Sequence, residues 1–171
     1  IKQELTKNDL VGIKLLIPHI EALLTRDILF SDMNKAELYG ELGISYFYLG
    51  NYYKSEKFLL EALELYKTHY NKDYVRIAEI LARLGGVYRN IGNYQESRNF
   101  LEQALRAYSK HYGDDHIETA WISTYLGSVY RHIGDYNKSL ILLEKAQSIY
   151  RRNYNEDNIK SIWNAAYLGQ V

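Results

Sequence analysis

Residues 81–108 read LARLGGVYRNIGNYQESRNFLEQALRAY, and residues 123–150 repeat the pattern as STYLGSVYRHIGDYNKSLILLEKAQSIY. Within it, a Gly-Asn-Tyr or Gly-Asp-Tyr triplet begins at Gly50, Gly92 and Gly134, which lie 42 residues apart. Further columns keep the same step: Gly43, Gly85, Gly127 and Gly169; Tyr46, Tyr88 and Tyr130; Ala62, Ala104 and Ala146; Tyr66, Tyr108 and Tyr150; Tyr70, Tyr112 and Tyr154. Because separate columns recur without an insertion, the sequence indicates a tandem structural repeat.

Each repeat contains two segments with the periodicity of an amphipathic helix. The apolar stripe of the repeat quoted above falls at Ile77, Leu81, Leu84, Tyr88 and Ile91 and then at Ser97, Leu101, Ala104, Tyr108 and Tyr112. Steps of three and four residues place such side chains on one side of a helix. We therefore predict an all-α fold of antiparallel helix hairpins, with helices at about 33–49, 52–70, 74–91, 94–112, 116–133, 136–154 and from 158 onward.

The residues between these segments are typical of helix ends. Gly92 can adopt the left-handed conformation that ends a helix, and Asn93 can cap the next one, with Glu96 placed for a capping box. Candidate N-caps also recur at the other boundary of the repeat: Ser31, Asp73, Asp115 and Asp157. Asp115 and Glu118 repeat the capping-box spacing.

The 42-residue frame predicts the domain organisation. It divides residues 31–171 into three full repeats and a partial one, at about 31–72, 73–114, 115–156 and 157–171. Residues 1–30 precede this array.

Within residues 1–30 we predict a lead-in helix that belongs to a degenerate preceding repeat. Leu10, Ile17 and Leu24 align with second-helix positions of the first full repeat, which places this helix at residues 9–26. Pro18 lies inside it, and an interior proline removes a hydrogen bond at a cost of about 3 kcal/mol. We expect a kink at Pro18. The alternative is a short helix that starts at Pro18 after a break.

The Gly column predicts how the helices pack. A glycine in the middle of a helix costs roughly 1 kcal/mol relative to alanine, yet one recurs at Gly43, Gly85, Gly127 and Gly169. We expect a close helix crossing at each, facing small residues on the second helix: Ala62, Ala104, Ala146, Ser55, Ser97 and Ser139. Twelve of the 18 Tyr fall in four columns, starting at Tyr46, Tyr52, Tyr66 and Tyr70, and we interpret these as core residues.

Composition excludes several classes of function. Lys+Arg and Asp+Glu are equal at 21, so the chain lacks the basic field that nucleic acid or an anionic membrane would attract. The chain has no Cys, which excludes disulfides and thiolate sites. No apolar run reaches the length of a membrane span, and no secretory signal is visible. We expect a cytoplasmic protein and, since the sequence starts at Ile1 and stops within an apparent helix, a piece of a longer one.

The pattern LxxLGxVYRxIGxYxxSxxxLExAxxxY resembles the tetratricopeptide repeat. Its length, and the tail Tyr112-Gly113-Asp114-Asp115-His116, are similar to the 42-residue variety of kinesin light chains and of many bacterial repeat proteins. The resemblance implies a right-handed superhelical solenoid. It also implies that the first helices of the hairpins line a concave groove that holds a peptide or a partner helix.

The chain departs from the family pattern at two places. Ser55, Ser97 and Ser139 replace the usual Ala of the second helix. Kinesin light chains also carry an Asn pair that grips peptide backbone, and the aligned pairs here are Gly40-Glu41, Ala82-Arg83, Thr124-Tyr125 and Ala166-Tyr167. Cargo recognition of that particular kind is therefore not expected.

Columns of the first helices that do not follow the core pattern form the candidate binding surface. We predict partner contacts from Arg83, Arg89, Trp121, Thr124, Tyr125, Ser128, Arg131, Trp163 and Tyr167. Arginine beside aromatic residues is the composition of an interaction hot spot, and its planar fork suits carboxylates. The predicted ligand is an acidic or C-terminal peptide. The alternative for Trp121 and Trp163 is packing against the preceding second helix.

Other functions have weaker support in the sequence. We expect neither an enzyme nor a cofactor or metal site, because the segment between His111 and His116 breaks the helix and no phosphate-binding loop is present. His69 and His111 share a column at a helix end. Two alternatives to a simple scaffold stay open. The array could regulate an attached NTPase or effector domain, or it could associate with itself.

Overall fold

The computed structural model describes residues 7–25, 31–69, 74–153 and 159–171. Every regular element in these ranges is an α-helix, and the chain divides into two compact units, Ile1–Asp73 and Tyr74–Val171. Unit 1 contains α1 (Lys7–Leu24), α2 (Asp32–Tyr48) and α3 (Tyr52–His69). Unit 2 contains α4 (Tyr74–Ile91), α5 (Tyr94–Tyr112), α6 (Ile117–Ile133), α7 (Tyr136–Asn153) and α8 (Ile159–Leu168). The predicted all-α fold is confirmed, and the predicted helices are present to within two residues at the ends described, with one exception. The last helix does not continue to the end of the chain as predicted, because α8 ends at Leu168.

The same turn closes the three hairpins α2–α3, α4–α5 and α6–α7. In each, a glycine with a left-handed backbone conformation follows the first helix. The φ values of Gly50, Gly92 and Gly134 are 73°, 88° and 90°. The backbone N–H of the next residue donates to a carbonyl in the last turn of the first helix, as from Asn93 to Tyr88 at 2.9 Å. This arrangement satisfies carbonyls that the helix end would otherwise leave without a donor.

The predicted N-caps are confirmed at Ser31 and Asn93, whose side chains accept from the backbone N–H of Asn34 and Glu96. The prediction for Asp115 is wrong. His116 caps α6 instead, since the helix begins one residue later, at Ile117, and His116 Nδ1 accepts from the Glu118 N–H at 3.2 Å. Asp73 and Asp157 lie outside the described residues.

Helix α1 continues through Pro18. The alternative prediction, a short helix that starts at Pro18 after a break, is therefore wrong. Ile17 is buried with Leu42 and Tyr46 of α2, and partly buried side chains surround this cluster. At its edge, the Tyr46 hydroxyl donates to Glu21 Oε1 at 2.8 Å. These contacts secure α1 against α2 and stabilise the helix despite the missing hydrogen bond at the proline.

The glycine column produces close helix packing, as predicted, at three of its four positions. A Cβ added to Gly43, Gly85 or Gly127 would lie 2.6, 2.5 or 2.8 Å from the Cγ atom of a leucine on the following helix. These leucines are Leu59, Leu101 and Leu143. The prediction is wrong for Gly169, which follows the end of α8 and where an added Cβ would meet nothing closer than 3.7 Å.

The serine column explains one departure from the family pattern. Ser55, Ser97 and Ser139 are fully buried, and each hydroxyl donates to the carbonyl oxygen of the glycine on the facing helix, at 2.7 to 2.8 Å. A helix carbonyl has a second lone pair that can accept this bond. The serine therefore joins the two helices of each hairpin at the point of closest approach.

Replacing Ser97 with Ala is expected to lower the free energy of unfolding of unit 2 by about 1 kcal/mol, because a buried hydrogen bond is lost without a new cavity. Denaturant unfolding followed by tryptophan fluorescence measures this, since Trp121 and Trp163 both lie in unit 2. Ser148→Ala is the matched control, because that hydroxyl is exposed and bonds only its own helix. Equal effects of the two substitutions would contradict the assignment.

The tyrosine columns divide between core and surface. Tyr46, Tyr66, Tyr108, Tyr130 and Tyr150 are buried as predicted. Burial and the Glu102 carboxylate, which accepts from its hydroxyl, raise the pKa of Tyr130 to about 12.

The prediction of core positions is wrong for members of the other two columns. Tyr136, at the start of α7, is 55% exposed, and Tyr112, in the last turn of α5, is exposed as well. Both lie in a terminal turn of a second helix, whereas Tyr94, in the first turn of α5, is half-buried because its ring stacks on His132. Tyr70 and Tyr154 lie outside the described residues.

Candidate interaction face

In unit 2, the first helices of the hairpins lie side by side, with α6 in contact with both α4 and α8. We use the name first-helix face for seven side chains on these helices: Arg83, Arg89, Trp121, Tyr125, Arg131, Trp163 and Tyr167. All seven belong to the predicted binding set, and contacts between helices bring most of them together. The remaining two predicted residues, Thr124 and Ser128, are buried beneath this face.

Arg89 is held at the centre of the face by uncharged groups. One of its terminal nitrogens donates to the hydroxyl oxygens of Ser128, at 3.4 Å, and Tyr167, at 3.3 Å. Its guanidinium lies over the Tyr125 ring, 4.6 Å from the centroid. Ser128 donates its own proton to the Tyr125 carbonyl at 2.7 Å, so its lone pairs face Arg89. The cation is thus oriented by α6 and α8 without being neutralised.

Arg83 has a different environment. It is 7% exposed, its guanidinium lies 5.8 Å from the Trp121 ring centroid, and one terminal nitrogen is 3.7 Å from Glu79 Oε1. Its Nε has no hydrogen-bond partner among the described residues. Because Arg83 is covered by Trp121 and paired with a carboxylate, it supports the aromatic surface and presents little charge to solvent.

The aromatic residues of the face differ in exposure. Trp121 and Tyr125 are half-buried on α6, with ring centroids 4.7 Å apart. Trp163, one repeat later in the same column, is 52% exposed on α8. The face therefore contains one tryptophan packed among its neighbours and one open to a partner.

Arg131 and His132 extend the basic part of the face at the end of α6. A terminal nitrogen of Arg131 lies 3.2 Å from His132 Nε2, and Arg131 Nε is buried with no partner among the described residues. The His132 ring stacks on Tyr94 at a centroid distance of 4.5 Å. Burial lowers the pKa of His132 below its usual value, and the positive charges of Arg131 and Arg89 lower it further.

Paired and unpaired charges lie at opposite ends of the first helices of unit 2. At the beginning of these helices the carboxylates are paired, Glu79 with Arg83 and Glu118 with Lys160 at 3.6 Å. In the last turns of α4 and α6, no carboxylate of the described chain forms an ion pair with Arg89 or Arg131. Among the residues described, the positive charge at the carboxyl ends of α4 and α6 is therefore not paired with a carboxylate.

Sequence reasoning missed a buried polar cluster at the joint between α7 and α8. Asn164 is fully buried there and contacts Thr124, Gln147 and the backbone of α7. The signal was present in the repeat frame, because Asn164 interrupts a column that contains Ile80 and Ile122. Thr124, predicted to contact a partner, belongs to this cluster.

Two kinds of feature are absent from the described residues. They contain no group of three or more His, Asp or Glu side chains arranged to hold a metal ion. None of their helices has the length and hydropathy needed to cross a membrane.

Solved structures share this fold across most of the chain. The apo form of RapI superposes with a TM-score of 0.79 at 17% identity, covering 95% of this chain and 56% of that one. BtubC from P. vanneervenii gives 0.70 at 16% identity, covering 96% and 64%. A Podosopora anserina kinesin light chain with nearly identical TPR-like repeats gives 0.74 at 16% identity, covering 92% and 76%. The chain thus spans less than two thirds of the length of RapI and of BtubC, and at these identities the likeness shows the fold alone.

The sequence comparison identifies the family. No curated protein matches the chain at a significant level of similarity. The family model for the tetratricopeptide repeat, however, matches residues 34–110 and 76–152, which together cover more than half of the chain. The predicted resemblance is confirmed: the chain belongs to the tetratricopeptide repeat family, whose repeats form protein-interaction scaffolds.

Proposed function

We propose that this scaffold binds an acidic segment of a partner protein on the first-helix face of unit 2. The observation that carries the proposal is the state of Arg89. Its guanidinium is positioned by two hydroxyl groups and an aromatic ring, and no described carboxylate pairs with it. A cation held in place by neutral groups keeps its charge available, and a carboxylate can bind it through a charge-assisted hydrogen bond.

The distribution of charge along α4 and α6 favours one placement of the ligand. Carboxylates at the beginning of α4 and α6 are already paired, whereas the cations Arg89 and Arg131 lie at their ends, where burial and both cations lower the pKa of His132. An acidic residue of the partner would therefore bind near the carboxyl ends of these helices. A free C-terminal carboxylate would satisfy the same donors, so a C-terminal peptide belongs to the same ligand class.

The aromatic residues would supply the apolar part of the contact. Trp163 offers the largest exposed ring, and Tyr125 and Tyr167 flank Arg89 with hydroxyl groups and ring faces. Burial of aromatic rings beside an arginine typically provides most of the energy at an interaction hot spot. Three buried residues would contribute indirectly: Arg83, the buried member of the face, supports Trp121, whereas Thr124 holds α8 and Ser128 orients Arg89.

A direct binding measurement tests this proposal. We expect fluorescence anisotropy to show that a labelled peptide rich in Glu and Asp binds at least about tenfold more tightly than the same peptide with Gln and Asn, because charge-assisted hydrogen bonds contribute about 1.5–3 kcal/mol each. Versions with a free or an amidated C-terminus separate the contributions of side-chain and terminal carboxylates.

Ionic strength provides the second arm of this test. The affinity for the acidic peptide should fall as salt is added, since the contact includes exposed charges. Equal affinity for the acidic and the amide peptide at low salt would rule out acidic recognition. The function proposed is binding without chemistry, and the absence of a catalytic, metal or cofactor site stays a prediction.

A further inference from the structure

At the joint between α7 and α8, two columns that contain apolar side chains in the preceding repeats contain amides. Asn164 of α8 is 0% exposed, and the same column contains the buried residues Ile80 in α4 and Ile122 in α6. Gln147 of α7, also buried, occupies the column of Leu63 and Leu105. At the joint between α7 and α8, amide side chains therefore occupy columns that hold alkyl side chains in the preceding repeats.

The hydrogen bonds of this joint form one directional chain across three helices. The Thr124 hydroxyl of α6 lies 2.9 Å from Asn164 Oδ1 and 3.1 Å from the Ala120 carbonyl oxygen, and its single proton is directed to the nearer acceptor, Asn164. Asn164 Nδ2 donates to the Leu143 carbonyl at 2.9 Å and to Gln147 Oε1 at 2.8 Å. Gln147 Nε2 in turn donates to Ser161 Oγ on α8 at 3.0 Å. Asn164 thus uses both amide hydrogens and its oxygen while fully buried.

Such a chain restricts α8 more than apolar packing would. Alkyl side chains tolerate a shift of a few tenths of an ångström, whereas an amide that loses its partners in a buried site leaves unsatisfied donors and acceptors. A rotation or one-turn slide of α8 would leave Asn164 and Gln147 in that state. Polar groups buried with all partners present are a known means of selecting one packing register.

This register determines the position of Tyr167. Tyr167 follows Asn164 by three residues, close to one turn along α8, and its hydroxyl accepts from Arg89 at 3.3 Å. We propose that Asn164 is a positioning residue of the first-helix face: it fixes α8 in the register that places the Tyr167 hydroxyl on Arg89. This inference rests on the proposed function, because Arg89 is the cation that the acidic segment would bind.

The test compares four substitutions in the full chain, of which Tyr167→Phe is the reference that removes the hydroxyl contact with Arg89. Asn164→Ala removes the hydrogen bonds, and Asn164→Ile supplies the residue found at this column in α4 and α6. Asn99→Ala, an exposed asparagine of α5, is the matched control. Hydrogen exchange of the α8 amides reports docking, the NMR signal of the Arg89 Nε–H group reports its environment, and anisotropy of the labelled Glu- and Asp-rich peptide reports affinity.

We expect Asn164→Ala and Asn164→Ile each to speed exchange in α8 by at least about tenfold, because α8 opens locally when the buried network is incomplete. Exchange in α4 to α6 should stay unchanged, which shows that the rest of unit 2 is folded. The Arg89 signal should move in both variants in the same direction as in the Tyr167→Phe reference, and the peptide affinity should fall severalfold. Asn99→Ala should alter none of these.

Wild-type exchange in α8 together with an unmoved Arg89 signal in Asn164→Ile would overturn the inference, since apolar packing would then be sufficient. Faster exchange in α8 with an unmoved Arg89 signal would also overturn it, because Asn164 would then be structural only. Failure of the wild-type chain to bind the acidic peptide would instead count against the proposed function. Exchange and the Arg89 signal do not depend on that peptide.

Discussion

Changing both Arg89 and Arg131 to Glu is expected to abolish measurable binding of an acidic peptide, with a loss of affinity of about 100-fold or more. Each substitution removes a cation that no described carboxylate neutralises and puts an anion in its place. The ligand then loses its charge-assisted hydrogen bonds and meets like charge at the same point. Fluorescence anisotropy at about 0.15 M ionic strength measures the change, under the same conditions as its control.

A matched variant separates the site from net charge. Arg106 of α5 and Arg151 of α7 are exposed residues of the second helices, so Arg106→Glu with Arg151→Glu makes the same change in net charge away from the first-helix face. This variant should keep its affinity to within about threefold at about 0.15 M ionic strength, because charges more than about 8 Å from the ligand are then largely screened. Circular dichroism should show equal helicity in both variants. If the variant with Arg89→Glu and Arg131→Glu binds the acidic peptide with wild-type affinity, the proposed site is wrong.

Gly85→Ala is expected to lower the free energy of unfolding of unit 2 by about 2 kcal/mol. The new Cβ would lie 2.5 Å from Leu101 Cγ and 2.8 Å from Leu101 Cδ2. The Cγ atom is the branch point of a fully buried leucine, so relief requires a change of rotamer or a separation of α4 from α5. The gain of roughly 1 kcal/mol in helix propensity offsets only part of this cost.

The glycine column supplies its own control for this prediction. Gly169 occupies the same column, but an added Cβ there meets nothing closer than 3.7 Å. Gly169→Ala should therefore leave the stability of unit 2 within about 0.5 kcal/mol of wild type. Denaturant midpoints followed by fluorescence of Trp121 and Trp163 compare the two variants. Similar values for both would show that the glycine column is not maintained by the close approach to leucine.

The helices and their pairing were predictable because their causes are local. The stripe through Leu81 and Leu84, the left-handed Gly92 and the cap at Asn93 act within one hairpin, and the repeat presents the same evidence three times. The failure at Asp115 has a local cause as well. A histidine can cap a helix through Nδ1, and a shift of one residue in the helix start moves the cap from Asp115 to His116.

The candidate site was predictable only in part. The column of Arg89 and Arg131 pointed to the basic end of the first helices, and the structure gives both residues positions with no described carboxylate partner. Arg83 and Thr124 share helices with them, yet one is covered by Trp121 and the other is buried against Asn164. Their columns deviate from the core pattern in the same way as Arg89, so a sequence pattern could not separate them.

By itself, the sequence determined the helix hairpins, their 42-residue frame and the glycine column that lets paired helices approach. These depend on residues close in the chain or on the adjacent helix of the same repeat. Only the tertiary structure decided which side chains of the first helices remain available. That outcome depends on how α4, α6 and α8 of separate repeats meet, where Tyr167 reaches Arg89 from 78 residues away. Such contacts follow from burial and hydrogen bonding in three dimensions, which a one-dimensional period does not encode.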